Sequence, residues 1–121
     1  MCLWVTSRQV LFSSERNCWP DKGVAPLYPQ HATHPESPYR FLNSGAYAGS
    51  VAALRALFDE LGAAAAPLDA DDQRLFTTYY LLSRGRAGAP PLALDAGARL
   101  FHGAWTTLAR SLHAEAAAAA P

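Results

Sequence analysis

Four prolines, Pro26, Pro29, Pro35 and Pro38, punctuate the stretch between residues 21 and 39. Each fixes its own φ and removes a backbone donor, so neither regular helix nor a central strand fits there. The stretch is expected to run as a long surface excursion, and long ordered loops commonly carry function. Any core must come from the segments on either side.

Those segments alternate in period. Gln9, Val10, Leu11, Phe12 and Ser13 form a short apolar run that reads as a buried strand, with residues 14–20 as loop. Residues 39–43 read as a second strand, broken at Ser44 and Gly45 and resumed over residues 46–48. A helix follows: Ser50 can cap it, Val51, Leu54, Leu57, Phe58 and Leu61 share one face, and Gly62 is placed to end it. After a small-residue linker at 63–68, residues 69–82 predict a second helix with Leu75, Phe76, Tyr79 and Leu82 inward. Residues 85–91 read as loop, and residues 92–94 and 99–101 as short strands around a turn at Ala96 and Gly97. Residues 105–114 predict a terminal helix, and 116–120 a low-complexity tail. Alternating strands and helices favour an α/β layer over a helical bundle.

At 121 residues the chain fits one small domain or a piece of a larger one. Half the residues are hydrophobic and 17% are charged, enough for a packed core and far from a disordered composition. Ten basic and ten acidic residues cancel, which leaves no long-range field to hold nucleic acid or an anionic membrane surface. No apolar run approaches the ~20 residues that span a bilayer, and no signal-peptide pattern follows Met1. Cys2 and Cys18 are too few for a disulfide framework and leave the redox compartment open.

The densest polar feature is Asp69-Ala70-Asp71-Asp72-Gln73. On the plain reading Asp69 caps the helix while Asp71 and Asp72 complement the positive end of its dipole. On the functional reading these carboxylates and the Gln73 amide face a cleft and exchange hydrogen bonds with sugar hydroxyls. Spacing by itself favours the plain reading. Asn43-Ser44-Gly45 lies at a strand end, where open α/β sheets place ligands, although the same residues also suit an ordinary turn. Trp19 is an aromatic plate in a loop that either covers the apolar face of a sugar or folds back onto the core. Cys18 has no paired base, which argues against a cysteine hydrolase, and His31 with His34 lacks a third metal ligand at a diagnostic spacing.

Taken in order, four blocks resemble the glycosyltransferase domain of the procollagen lysyl hydroxylase/glucosyltransferase family. They are Leu11-Phe12-Ser13-Ser14-Glu15-Arg16-Asn17-Cys18-Trp19-Pro20-Asp21, then Tyr39-Arg40-Phe41-Leu42-Asn43-Ser44-Gly45-Ala46-Tyr47, then Asp71-Asp72-Gln73 with Phe76-Thr77 and Tyr80-Leu81, then Leu94-Asp95 with Arg99-Leu100-Phe101. The resemblance implies a GT-A type, Rossmann-like α/β fold, with residues 1–104 as its central part and residues 105–121 as a helix and alanine-rich tail. It implies a manganese-dependent transfer of a hexose from a UDP-sugar to a hydroxylated protein side chain such as collagen-type hydroxylysine. Asp71 and Asp72 match the acidic stretch near the donor and acceptor sites, and Gln73 follows them directly. Trp19, Asn43, Ser44 and Gly45 match segments that border the same cleft. Localisation in the endoplasmic reticulum or secretory pathway comes with the same resemblance.

The family holds its metal with an Asp-x-Asp that precedes the first block and with a later His-x-Asn-Gly. Neither stands at those places here, so the chain is expected to be a fragment whose activity depends on parts outside it. The competing expectation is a non-catalytic binding or scaffold module, or a truncated product, that keeps part of the fold.

Overall fold

The structure, a computed structural model, describes residues 8–63 and 71–101. Its centre is strand β1, Val10–Glu15, whose first five residues are buried. A strand hidden along most of its length needs neighbours on both edges. β1 has them: β2, Phe41–Gly49, pairs antiparallel and β3, Leu92–Leu94, pairs parallel, giving the sheet order β2-β1-β3. β1 runs further than its apolar letters suggest because Ser14 is satisfied inside the fold. Its hydroxyl donates to the Asp95 carbonyl at 2.7 Å.

The break expected at Ser44 and Gly45 is a bulge within one strand. Phe12 faces Tyr47, yet the next residue, Ser13, faces Asn43, so Ser44, Gly45 and Ala46 are extruded from the ladder. Such insertions bend a strand and re-aim its side chains.

Helix α1, Val51–Ala63, begins as expected: Ser50 Oγ accepts from the Ala53 amide at 3.1 Å. Its buried face is Ala53, Leu57 and Leu61, with Leu54 at the margin. Val51 and Phe58, expected inward, are exposed. Leu57 fixes the facing, and Phe58 turns aside to meet the rings of Tyr47 and Phe76 at 6.2 and 6.3 Å. The helix also passes through Gly62.

Helix α2, Asp72–Ser83, buries Gln73, Phe76, Thr77 and Tyr80 at three-and-four spacing. Phe76 packs 4.9 Å from the Phe12 ring and Tyr80 lies 5.5 Å from Tyr28. Those two contacts set the inward stripe, so Leu82 faces outward at 77% exposure, against expectation.

The proline-rich excursion contains one short regular piece, a 3-10 helix at Lys22–Leu27 with Pro26 inside. Tyr28 then anchors the excursion. Its ring is buried edge-on to Phe41, its hydroxyl donates to Thr77 Oγ1, and the same oxygen accepts from the Leu42 amide, both at 3.3 Å.

Residues 99–101 form no strand. The amides of Arg99, Leu100 and Phe101 all donate to the buried Asp95 carboxylate, at 3.0, 2.7 and 2.8 Å. Amides spent on a side chain cannot join a ladder. The expected turn at Ala96 and Gly97 is present, closed by Ala98 N donating to Asp95 O at 2.9 Å. The linker at 63–68 (beyond residue 63), the cap expected at Asp69, the helix at 105–114 and the tail lie outside the described residues. Among the described residues no helix is long and apolar enough to cross a membrane.

Leu57, fully buried, and Leu82 test this facing. Leu57→Ala is expected to lower unfolding free energy by about 2–5 kcal/mol, and Leu82→Ala to change it by less than about 0.5 kcal/mol. Equal losses in denaturant titrations would contradict the assignment of faces.

Candidate functional site

Three segments distant in sequence meet where β1 ends. The loop after Glu15 carries Trp19, the β2 bulge carries Asn43, Ser44 and Gly45, and the start of α2 carries Asp71, Asp72 and Gln73. Gln73 joins them. Its Nε2 donates to Glu15 Oε1 at 2.6 Å and to the Trp19 carbonyl at 3.0 Å, while its Oε1 accepts from the Ser44 amide at 3.2 Å. The sequence places this amide facing sugar hydroxyls; in the structure it is turned inward and spent on protein groups.

Helix α2 starts one residue after Asp71, which is therefore its cap. Asp71 Oδ1 accepts from the Arg74 amide at 2.9 Å. Asp72 occupies the first turn, is exposed, and accepts from the Ser44 hydroxyl at 3.1 Å. That hydroxyl has one proton, and its 3.4 Å approach to Gln73 Oε1 is the weaker alternative. Asp71 is thus the cap and Asp72 an exposed first-turn carboxylate, and one oxygen of each is held by protein.

In the bulge, Asn43 Oδ1 accepts from the Gly45 amide at 2.8 Å, an Asx-type turn that leaves the Asn43 NH2 outside the bond. A Cβ on residue 45 would lie 2.9 Å from that same oxygen, so only glycine keeps the turn undistorted. Trp19 is held through its carbonyl, and the residue is 58% exposed. Sugars are bound by aromatic faces together with carboxylate, hydroxyl and amide groups, and all of these residue types are present on the segments that meet here. The arrangement is an open shelf. A cleft of about 830 Å³ lies elsewhere, between the end of α2 and β3. It is the weaker candidate, because its cations are already engaged: Arg86 pairs with Glu60 and Arg84 lies over the Tyr80 ring.

Three charged residues of the shelf carry no assigned role in the sequence reading, although Glu15 and Asp21 stand in its first block. Glu15 sits at the carboxyl end of β1, and Asp21 and Arg74 form a two-pronged ion pair, with Nε to Oδ2 at 2.7 Å and NH2 to Oδ1 at 3.0 Å. The hydrogen bonds from Arg74 hold the Asp21 carboxyl below its ordinary value. Cys18, free and buried, donates to the Asp21 carbonyl at 3.3 Å, and burial pushes its thiol up, away from nucleophile chemistry. Among the described residues no three His, Cys, Asp or Glu side chains converge as a metal cage, His31 and His34 included.

The depressed Asp21 value sets a sign. The pair's contribution to folding is complete above about pH 4 and is lost as pH falls through the lower folded value. In an NMR titration of the Asp21 carboxyl carbon, Arg74→Gln is expected to move the midpoint up toward the ordinary aspartate value. A midpoint that stays put would show that the pair does not form in solution.

Comparison with known proteins adds the following. Residues 3–117 match the PLOD GT domain family. The chain is 41% identical over 101 residues to a procollagen-lysine,2-oxoglutarate 5-dioxygenase of Drosophila melanogaster, covering 79% of this chain and 13% of that protein. It is 35% identical over 92 residues to a multifunctional procollagen lysine hydroxylase and glycosyltransferase LH3 of Rattus norvegicus, and 34% over 93 residues to one of Homo sapiens. Those two matches cover 76% and 77% of this chain, and 11% and 12% of the relatives. The chain therefore spans only a small part of the relatives it matches.

Proposed function

The chain belongs to the PLOD GT domain family, and from that premise we propose that it supplies the central part of a GT-A type, Rossmann-like domain that transfers a hexose from a UDP-sugar to a hydroxylated protein side chain. The observation that carries the reading is the meeting of Trp19, the Asn43 bulge and Asp72 on one shelf. Relatives named as a glycosyltransferase acting with procollagen lysine hydroxylation support collagen-type hydroxylysine as the acceptor. By the same likeness the protein works in the endoplasmic reticulum or secretory pathway.

In the transfer the bond from the sugar anomeric carbon to the UDP oxygen breaks, a bond to the acceptor oxygen forms, and the acceptor hydroxyl's proton passes to the departing UDP oxygen or to water. This chain's residues do the orienting. The Asp72 oxygen that Ser44 leaves open accepts from a sugar or acceptor hydroxyl, the Asn43 NH2 donates to another, and the Trp19 ring covers an apolar sugar face. Asp71 keeps the helix start in place. Holding reactants in register supplies much of such a rate effect. Manganese is the metal that the family resemblance implies, but the residues described do not fit a site for it. Asp71 and Asp72 each commit an oxygen to a protein donor and no third ligand joins them.

Asp72→Ala in the full-length protein is expected to lower hexose transfer roughly 100-fold while the melting temperature hardly moves, because Asp72 is exposed and Asp71 provides the cap. Unchanged turnover would remove Asp72 from the site. UDP-sugar binding without transfer in the wild-type protein would favour the binding-module reading.

A further inference from the structure

Gln73 is 8% exposed on a helix that otherwise buries Phe76, Thr77 and Tyr80. A buried amide left unpaired is costly, so the position of this one is dictated by its partners. They come from three segments: Glu15 at the end of β1, Trp19 in the loop beyond it, and Ser44 in the β2 bulge. The orientation of the amide follows as well. An oxygen turned toward the Glu15 carboxylate would be repelled, and the Ser44 N–H would lose its acceptor.

We propose that Gln73 is a positioning residue whose amide fixes the Trp19 loop and the Ser44 bulge relative to the start of α2, so that the shelf has its shape before any sugar arrives. The inference rests on the sugar-facing reading of that shelf for its functional meaning. Gln73 grips Trp19 by the carbonyl, which leaves the ring open to cover a ligand. It grips Ser44 by the amide, which leaves the hydroxyl to hold the Asp72 carboxylate at 3.1 Å. The two arms use opposite ends of the amide, donor toward Trp19 and acceptor toward Ser44, and can be cut separately. Leucine has nearly the same shape and cuts both. Glutamate keeps the acceptor and removes the donor, provided that Glu15 is changed to glutamine so that two carboxylates do not collide.

The test uses the whole 121-residue chain labelled with nitrogen-15. It follows the Trp19 indole N–H signal, identified by its loss in Trp19→Phe, and the hydrogen exchange of the Ser44 amide. In Gln73→Leu the indole signal is expected to shift and Ser44 to exchange roughly tenfold faster, the factor for one lost hydrogen bond. In Gln73→Glu combined with Glu15→Gln, the indole signal is expected to shift while Ser44 exchange stays within about twofold of wild type. If Gln73→Leu does not fold, the paired variant decides alone. Signals that stay at wild type in either variant, or an indole and an amide that move together in the paired variant, would overturn the proposal. A parallel titration of the full-length protein with UDP-glucose and manganese separates the two ideas: no binding there counts against the glycosyl-transfer reading and leaves the outcome for Gln73 untouched.

Discussion

A buried amide must have its donors and acceptor paired, and at Gln73 that requirement draws together the end of the central strand, the tryptophan loop and the bulged neighbour strand. Hydrophobic packing alone would not fix this geometry. Phe12, Phe76 and Tyr47 form a ring cluster with centroids 4.9 to 5.6 Å apart, which holds α2 against the sheet yet is indifferent to small slides. Hydrogen bonds have direction, and the amide converts a packed layer into a defined surface.

The bulge is the second device. Three extruded residues put Asn43, Ser44 and Gly45 where a regular ladder would have buried alternate side chains in the sheet. The proline-rich excursion, which regular structure cannot use, is tied down by Tyr28, with Arg40 donating to the Tyr28 carbonyl at 2.7 Å. Loop, bulge and helix start therefore stand on anchored supports, as a surface that holds a ligand in register must.

Much of this was legible in the residues. The Val10 run, the Ser50 cap and the turn at Ala96 and Gly97 follow from local rules that depend on near neighbours. Where reading by period fails, a specific side-chain contact overrules it. Arg99, Leu100 and Phe101 look like a strand, but the Asp95 carboxylate takes their amides. Val51 and Phe58 fit the spacing of an inward face, but Leu57 decides which side is inward and Phe58 joins an aromatic cluster at the rim. The four blocks pointed to Trp19, Asn43, Ser44, Gly45, Asp71, Asp72 and Gln73, and hydrogen bonds through Gln73 and Ser44 link the segments that carry them. The pairing roles of Glu15, Asp21 and Arg74 are not legible, because pairings between positions so far apart leave no mark in spacing.

The central claim is that one shelf, built by Trp19, Asn43, Ser44 and Asp72, meets the sugar nucleotide. The most direct measurement is a map of amide and indole NMR shifts when UDP-glucose or UDP-galactose is added with manganese to the protein carrying this domain. The account expects the shifts to cluster on Trp19, on residues 43–45 and on Asp71 and Asp72. Shifts confined to the cleft lined by Ser83, Arg84, Arg86 and Leu92 would contradict it.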